Sequence, residues 1–275
     1  LSDVRTLCTI GSRRVGTDGN AAARTWLASA LTGMGYSAET DPFPSTYPGN
    51  PEGVNLSVRI PGADSAGTIV IGAHFDTIEG IQGCEDNATG TAALLEIARR
   101  LAGQTPAMDT VLVFFDSEEY GHSGSEHYAS KYSEETALMI NLDCVGYGDE
   151  LYAYSYAGAA GAVREYAIAR AAAIGAGLTT HAGNETYPAG TTGPWSDHAP
   201  FERRGVDYLY LEGSNFAVPG AYGWGYTAED PYVLHTVQDN MDYLLPKYGA
   251  RMERHMSDAA AVAVDLALNG FTTGS

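Results

Sequence analysis

The stretch GAHFDTIEGIQGCEDNATG, residues 72 to 90, follows an apolar run and gathers several side chains that can bind a metal ion. His74 and Asp76 stand two residues apart, and Glu85 and Asp86 follow after a glycine-rich loop. The apolar run predicts a buried strand, and the residues after Asp86 predict a helix. Because ligand sites of open α/β sheets gather beyond the carboxyl ends of the strands, the stretch predicts an α/β fold with a site at this loop.

The rest of the chain alternates between predicted strands and helices from about residue 54 onwards. Apolar runs predict strands at 54–60, 68–74, 110–116, 137–143, 151–156 and 206–212. Helical spacing predicts helices at 19–33, 87–103, 161–175 and 252–270. Several strands are apolar on both faces, which is typical of a sheet covered on both sides. The sequence therefore predicts one α/β domain over residues 1–275, a three-layer sandwich with a central mixed, mostly parallel sheet covered by helices.

Two long stretches without regular periodicity, at 40–53 and 213–234, are rich in Pro, Gly and Tyr. They exceed ordinary connection lengths and are predicted to be functional loops. No apolar run is long enough to cross a bilayer, so no transmembrane segment is expected. The chain opens LSDVRTL, without an initiator Met, and we expect that a signal peptide has been removed and that the protein is secreted or lies in the cell envelope, periplasmic or extracellular.

The formal net charge is −19, and only Lys131 and Lys247 are lysines. A polyanion such as nucleic acid is therefore excluded as a partner, whereas cations and amines are favoured. The three cysteines lack the CxxC spacing of a thiolate metal site, and they are too few for a disulfide scaffold. Any metal site in this chain is expected to use nitrogen and oxygen ligands.

Four apolar or aromatic runs end in His, Asp or Glu: IGAHFD, FFDSEE, INLD and PYVLHTVQD. Side chains at such strand ends are expected to converge. Asp76 falls on the same side of an extended segment as His74 and can orient its imidazole. Glu118 and Glu119 point to opposite sides, so one can bind a cation while the other accepts a proton. This ligand set suits Zn²⁺ and tolerates Mn²⁺ or Co²⁺, and two ions bridged by one carboxylate need only about five protein ligands.

Five motifs resemble the M28 family of dizinc aminopeptidases and occur in the family's order: HFD at 74–76, EDNATG at 85–90, SEEYGHSGS at 117–125, INLD at 140–143 and LHT at 234–236. The resemblance runs from about residue 11 to the final helix. It implies the phosphorylase/hydrolase-like fold of zinc exopeptidases. A single motif would be weak support, but five in order are specific.

The resemblance implies two zinc ions per chain, with Asp86 shared between the pair His74 and Asp143 and the pair Glu119 and His235. It also implies that Asp76 orients His74, that Glu118 is the general base, and that the peptide bond after Asp86 is cis. Two positions depart from the family pattern, because His122 and Leu234 stand where other residues are common. The donor to the oxyanion is left open among the tyrosines of residues 220–232.

Substrate-binding residues are predicted from two segments. The segment WSDHAPF resembles a family motif that lines the cleft, and it contributes Trp195, Asp197 and His198. The aromatic loop from Phe216 to Tyr232, which includes Tyr226, is expected to wall an apolar pocket. The alternative is that these aromatic side chains only pack the loop. Glu85 is one candidate for binding the substrate's amino group.

Cys84 and Cys144 flank two implied ligands of the same zinc, Asp86 and Asp143. A disulfide between these two cysteines is one expectation, and inert buried thiols are the other. A count of free thiols decides between them.

The expected function is metal-dependent hydrolysis of N-terminal residues, preferably apolar ones, from peptides with a free N-terminus. Three alternatives from related proteins remain open. They are a glutaminyl-peptide cyclotransferase that keeps one zinc ion, a carboxypeptidase of the same family, and a binding domain that has lost its ligands. Because all five implied ligands and Glu118 are present in this chain, the binding domain is the weakest alternative.

Overall fold

The computed structural model describes residues 1–218, 226–230 and 232–271. One sheet of seven strands forms its centre. The strands are Glu39–Pro44 (β1), Glu52–Ile60 (β2), Asp64–His74 (β3), Met108–Phe115 (β4), Thr136–Leu142 (β5), Glu150–Tyr154 (β6) and Tyr208–Ser214 (β7). They lie in the order β1-β2-β4-β3-β5-β7-β6.

The four central strands β4, β3, β5 and β7 run parallel to one another. The outer strands pair antiparallel, β1 with β2, β2 with β4, and β6 with β7. The sheet is therefore mixed with a parallel centre. Its parallel strands all direct their carboxyl ends to one edge, where a ligand site is expected.

Helices cover both faces of the sheet. They are Ser2–Ile10 (α1), Asp18–Gly33 (α2), Ala88–Leu101 (α3), Ser123–Tyr132 (α4), Ala162–Ile174 (α5), Ala199–Glu202 (α6) and Met241–Asn269 (α7), with a 3₁₀ turn at Gly158–Gly161. None of the helices within the described ranges is both long and apolar enough to span a membrane.

The core lies in two layers because successive side chains of a strand point to opposite faces. On β5, Leu138, Ile140 and Leu142 pack in the larger cluster, together with side chains of α1, α2, α3, α5 and α7. Met139, between them, packs in the smaller cluster with Phe201 and with side chains of α4. The predicted three-layer α/β sandwich is confirmed.

All six predicted strands and all four predicted helices are present, but the sequence missed one strand and three helices. Strand β1 lies largely in the stretch at 40–53, which the sequence predicted to be irregular. The sequence pattern did not reveal this strand because it contains Pro42 and Pro44. Proline lacks the N–H that a central strand must donate, and β1 is an edge strand, where this loss is tolerated. The helices α1, α4 and α6 were also missed. Helix α7 begins at Met241 rather than at the predicted residue 252, with Pro246 inside it.

A disulfide joins Cys8 of α1 to Cys84, and the two Cα atoms lie 5.5 Å apart. Cys144 is a buried free thiol. A pairing of Cys84 with Cys144, one of the two expectations, is therefore wrong, and the other expectation, inert buried thiols, holds for Cys144 but not for Cys84. Cys84 pairs with Cys8 instead because α1 packs beside α3, which brings Cys8 to the loop that precedes Asp86. Sequence spacing could not reveal this contact, because 76 residues separate the two bonded cysteines.

The denatured, unreduced protein should titrate with one free thiol, and the reduced protein with three. Replacing Cys8 by Ala should lower the free energy of unfolding by about 2–5 kcal/mol, because the unfolded chain loses its crosslink. Equilibrium denaturation in urea measures the loss. Reduction should destabilise the wild type by a similar amount and leave the Cys8→Ala variant unaffected. Three free thiols before reduction would contradict the bridge.

Candidate metal centre

Five potential metal ligands meet at the carboxyl edge of the parallel strands. His74 is the last residue of β3, Glu119 follows β4, and Asp143 follows β5. Asp86 precedes α3, and His235 lies in the segment before α7. Residues that are far apart in the sequence are thus brought into one cluster, as the strand-end pattern predicts.

Asp86 lies between the two histidines of this cluster. Its Oδ1 is 3.2 Å from His74 Nε2, and its Oδ2 is 3.0 Å from His235 Nε2. Asp143 Oδ1 lies 3.3 Å from the same His74 nitrogen, and Glu119 Oε2 lies 2.9 Å from the same His235 nitrogen. The two oxygens of one carboxylate therefore face two separate groups of ligands.

The peptide bond between Asp86 and Asn87 is cis, as the resemblance implies. The side chain of Asn87 accepts a hydrogen bond from the backbone N–H of Gly90, at 2.8 Å, and caps α3. Because Asn87 caps the helix, the carboxylate of Asp86 is available to the cluster.

Asp76 connects His74 to the segment that carries the two glutamates. Its Oδ1 lies 3.4 Å from His74 Nδ1 and accepts the backbone N–H of Glu118 at 3.0 Å. The Glu118 carboxylate comes within 4.0 Å of His74, whereas Glu119 contacts His235. The two adjacent glutamates therefore face different members of the cluster.

His122, one of the two positions that depart from the family pattern, lies beside Glu118. Its Nε2 is 3.5 Å from Glu118 Oε1, and burial lowers its pKa. The only signal in the sequence was that a histidine replaces the apolar residue common at this point of the motif. The structure thus places an imidazole next to the Glu118 carboxylate.

Electrostatics show that this cluster stabilises positive charge. Burial raises the pKa of Glu118 well above its usual value, and burial together with the charge of Asp86 raises the pKa of Glu119 to about 8. Hydrogen bonds to Asp86 and Glu119 raise the pKa of His235 to about 12. A proton on His235 thus marks a position where positive charge is favoured. Because buried carboxylates must be paired or bind a metal, the cluster is suited to a cation.

The donor set fits zinc. Two imidazoles and several carboxylates are ligands that Zn²⁺ accepts. The remaining thiol nearby is a poor ligand, because burial raises the pKa of Cys144 well above its usual value. The Cys144 thiol instead lies 3.2 Å from Asp143 Oδ1, as a hydrogen-bond donor. Glu119 Oε1 is buried without a hydrogen bond from the described residues, so it has capacity for a further partner.

Two residues that the sequence did not single out orient Asp143. Ser196 donates its hydroxyl to Asp143 Oδ2 at 2.7 Å, and Asn141 donates to the Ser196 oxygen at 2.7 Å. Asn141 is in the INLD motif and Ser196 is in the WSDHAPF segment, so both lay within motifs that were already quoted. Their hydrogen bonds fix the direction of the Asp143 carboxylate.

Asp239 holds the backbone next to Asp86. Its two oxygens accept the backbone N–H groups of Glu85, at 2.6 Å, and Asp86, at 3.1 Å. The carboxylate of Glu85 is buried and accepts the backbone N–H groups of Gly146 and Tyr147. Glu85 is therefore not placed to bind a substrate amino group. The expectation from the sequence that it binds this group is wrong. Its carboxylate faces the backbone of the neighbouring loop.

Arg13 is fully buried under the same loop and donates to five backbone carbonyl groups. The acceptors are Leu7, Gly11, Phe75, Gln82 and Gly83. Burial lowers the pKa of Arg13 to about 10, against the opposing effect of nearby carboxylates, of which Asp239 is the strongest. The guanidinium therefore stays charged at neutral pH. It compensates part of the negative charge of the cluster.

A cavity of about 180 Å³ opens beside the cluster. Besides the cluster residues and Cys144, the described residues that line it are Gly121, His122, Trp195, Tyr210, Glu212, Tyr232 and Leu234. Of the predicted substrate-binding residues, Trp195 and Tyr232 are among them. Glu212 and Tyr210, at the end of β7, were not predicted to lie here.

Asp197 and His198 lie in the wall rather than at the surface of the cavity. Both are fully buried. Burial raises the pKa of the Asp197 carboxyl group to about 7. The His198 ring packs against Tyr208 and Tyr210, with centroids 4.9 and 4.7 Å away, and burial lowers its pKa to about 3. The His198 ring thus lies behind Tyr210, which lines the cavity.

Phe216 and Tyr226 are not among the described residues that line the cavity. Phe216 stacks on His181, with ring centroids 3.8 Å apart, and Tyr226 packs near Tyr232 at 6.2 Å. These two side chains pack the loop, which was the alternative expectation for them. Residues 219–225 of the predicted aromatic wall lie outside the described residues.

A buried cluster of two imidazoles and several carboxylates at the carboxyl edge of a parallel sheet is typical of a metal-dependent hydrolytic enzyme. The model of peptidase family M28 matches residues 55–260. The chain belongs to this family, which is zinc-dependent.

Two curated relatives show where the family resemblance extends. The chain is 31% identical to the alkaline phosphatase isozyme conversion protein of Escherichia coli, over 72% of this chain and 66% of that protein. It is 30% identical to aminopeptidase YwaD of Bacillus subtilis, over 64% of this chain and 36% of that protein. The chain thus spans between about a third and two thirds of these relatives.

Solved structures share the fold at low identity. BSAP, a zinc aminopeptidase from Bacillus subtilis, superimposes with a TM-score of 0.77 and 16% identity, over 100% of this chain and 96% of that chain. Glutaminyl cyclase of Porphyromonas gingivalis superimposes with a TM-score of 0.70 and 21% identity, over 96% of this chain and 94% of that chain. Since both kinds of enzyme match, the fold by itself does not decide between their reactions.

Replacing Arg13 by Lys should lower the free energy of unfolding by about 2–4 kcal/mol, because an ammonium group cannot reach five carbonyl groups and leaves some unpaired. Equilibrium urea denaturation measures the change. Arg14→Lys is the matched control. Arg14 donates to one backbone carbonyl and lies 4.0 Å from Glu79, so its replacement should cost less than about 1 kcal/mol. Equal losses in the two variants would refute the role given to Arg13.

Proposed function

We propose that this protein is an aminopeptidase that removes N-terminal residues from peptides with a dinuclear zinc site. The observation that carries the proposal is the position of Asp86, whose two oxygens each lie within 3.2 Å of a different histidine. Such a carboxylate is suited to bridge two ions. The curated relative named as an aminopeptidase supports the same activity.

Five side chains would hold the two ions. His74 and Asp143 would bind one, Glu119 and His235 would bind the other, and Asp86 would be shared. Asp76 would orient His74 through its Nδ1. Zinc ions bound there would supply Lewis acidity and acidify water.

Glu118 is the candidate general base because it faces the cluster and the family resemblance gives it no zinc ion to bind, although its carboxylate lies close to His74 and Asp143. Its backbone N–H is held by Asp76, and its carboxylate lies next to His122. The carboxylate would accept a proton from water at the start of hydrolysis and deliver it to the amine that leaves. Tyr232 is the described tyrosine of the aromatic loop that lines the cavity, and its hydroxyl is the candidate donor to the oxyanion.

The charges around the cavity favour an amine over a carboxylate as the recognised end of the peptide. Neither arginine nor lysine occurs among the described residues that line the cavity, whereas carboxylates are frequent. A free α-amino group is positively charged or readily protonated and fits such a cleft. A carboxypeptidase would instead need a positive group for the substrate's terminal carboxylate.

A glutaminyl-peptide cyclotransferase is the second candidate because enzymes of that kind share the fold. The observation against it is that all five potential ligands, two histidines and three carboxylates, lie together in this chain. A cyclotransferase is expected to keep only one zinc ion. A peptide that begins with Gln separates the two reactions by mass, since cyclisation releases ammonia and hydrolysis releases an amino acid.

We propose further that the protein works outside the cytoplasm, secreted or in the cell envelope. The disulfide between Cys8 and Cys84 supports this location, because disulfides persist mainly in oxidising compartments.

Replacing Glu118 by Gln should lower kcat at least about 100-fold, because general acid-base catalysis contributes that much. Elemental analysis should find about two zinc ions per chain in both the wild type and this variant. The zinc content of the Asp86→Ala variant should fall well below two ions per chain. Glu134→Gln changes an exposed carboxylate in the same way and serves as the matched control. Near-normal turnover in a zinc-replete Glu118→Gln protein would remove its assignment as base, and a single tightly held ion in the wild type would remove the dinuclear site.

An N-acetylated peptide should resist the enzyme, whereas the same peptide with a free N-terminus should lose residues one at a time from that end. The reason is that acetylation removes the charged amine and adds bulk in the cleft. A time course by mass spectrometry, with chelated and zinc-restored enzyme as controls, follows the products. Equal cleavage of the two peptides, or loss from the carboxyl end, contradicts the proposed activity.

A further inference from the structure

His122 is a residue of the cavity wall that the proposed zinc site does not use. It lines the cavity together with Glu118 and Gly121, and its side chain is 20% exposed. None of the groups of potential metal ligands among the described residues includes it. Any role of this imidazole in the reaction is therefore separate from binding zinc.

The imidazole of His122 contacts one oxygen of the candidate general base. Its Nε2 lies 3.5 Å from Glu118 Oε1, whereas Glu118 Oε2 lies 4.0 Å from His74 Nε2. The two oxygens of this carboxylate therefore face different neighbours, Oε1 the imidazole and Oε2 the cluster of potential ligands. A separation of 3.5 Å is long for a hydrogen bond, but contacts of this kind in catalytic sites often shorten when the substrate binds.

The backbone fixes the point from which this imidazole extends. The N–H of His122 donates to the carbonyl oxygen of Glu118 at 2.8 Å, and the carbonyl oxygen of His122 accepts the N–H of Glu126 at 2.8 Å. His122 is the N-cap residue of α4 and has a φ of 54°, a left-handed conformation that is unfavourable for residues with a β-carbon. Hydrogen bonds on both sides hold the residue in this conformation. The ring is thus attached to a turn that is tied to Glu118 itself.

A second segment of the cavity wall approaches the same ring. Burial lowers the pKa of His122, and the backbone of Trp195 is the strongest influence in the opposite direction. Trp195 belongs to the WSDHAPF segment and lines the cavity as well. The imidazole is therefore close both to the turn that carries Glu118 and to this segment, which restricts the directions in which the ring can point.

The orientation of the Glu118 carboxylate matters because a general base must lie within about 2.6–3.2 Å of the group whose proton it accepts. The hydrogen bond from the backbone N–H of Glu118 to Asp76 fixes the backbone and leaves the carboxylate to other contacts. A glutamate side chain has several rotatable bonds, so such contacts are needed to hold it in one direction. An imidazole beside Oε1 keeps Oε2 directed to the cluster, whereas an apolar side chain would leave Oε1 without this partner.

We propose that His122 is a positioning residue for the general base. Its imidazole holds Glu118 Oε1 at the side of the cavity, and Oε2 thereby stays directed to the cluster, where the proton is accepted. The inference rests on the proposed hydrolytic function and on Glu118 as its base. It adds a residue that acts through Glu118 rather than on the substrate.

The test replaces His122 by Leu, which cannot form hydrogen bonds through its side chain, and by Gln, which keeps a polar group at a similar distance from the backbone. Neither residue is branched at Cβ, so the turn should accept both. With a peptide that begins with Leu and has a free amino group, His122→Leu should lower kcat at least about tenfold and leave KM nearly unchanged, since a hydrogen bond to a charged group contributes about that much. His122→Gln should recover most of the lost kcat. The zinc content of both variants should equal that of the wild type.

His127→Leu is the matched control. His127 lies in α4, its side chain is 24% exposed, and its Nε2 contacts Asp41 Oδ1 at 3.1 Å. Neither of these two residues is among the described residues that line the cavity, so this variant should keep the kcat of the wild type. A double-mutant cycle with Glu118→Gln measures the coupling. Once the carboxylate has been replaced, His122→Leu should cause little further loss of kcat.

A His122→Leu enzyme with the kcat of the wild type overturns the inference and leaves the aminopeptidase activity intact. A raised KM with unchanged kcat also overturns it, because the imidazole would then bind the substrate. Loss of zinc in both His122 variants, or an equal loss of kcat with and without the Glu118 carboxylate, overturns it as well. Normal turnover of zinc-replete Glu118→Gln removes the base and the inference together. A wild type that cleaves no peptide with a free N-terminus removes the proposed function itself.

Discussion

The concentration of buried negative charge at one edge of the sheet is the constraint on which the structure depends. The carboxylates of Asp86, Glu118, Glu119 and Asp143 meet there, with two histidines among them. Like charges in a site of low dielectric repel strongly unless a cation lies between them. The carboxylates that would bind a metal therefore also oppose the folding of this edge through their mutual repulsion. The surrounding backbone must hold them in place against it.

Both ends of the chain contribute to that support. Arg13, from the segment after α1, ties together the carbonyl groups of the loop before Asp86, and the disulfide fixes the same loop to α1. Asp239, from the segment before α7, holds two backbone N–H groups of that loop. The Asp86 carboxylate is thus positioned by contacts that run through the backbone. Substitutions far from the cavity should act on the metal site by this route.

The parallel strands and the five potential ligands could be predicted from the sequence, because buried strands leave long apolar runs and the ligands follow directly at their ends. The resemblance to a known family supplied the roles. Other features leave no local pattern. Strand β1 carries two prolines, and the partners of Arg13 are carbonyl groups, which belong to every residue. The pairing of Cys8 with Cys84 depends on the packing of α1, a helix that the sequence did not predict.

Glu212 shows why the scaffold does not determine the reaction. It follows the apolar run VDYLYL, where a single acidic residue reads as the end of a strand. Only the pairing of β7 with β5 places it beside Asp143, in the wall of the cavity. Solved structures of an aminopeptidase and of a glutaminyl cyclase share this fold with TM-scores of 0.77 and 0.70. Since the same fold occurs in both kinds of enzyme, the reaction and the choice of substrate must be set by the side chains around the cavity rather than by the sheet.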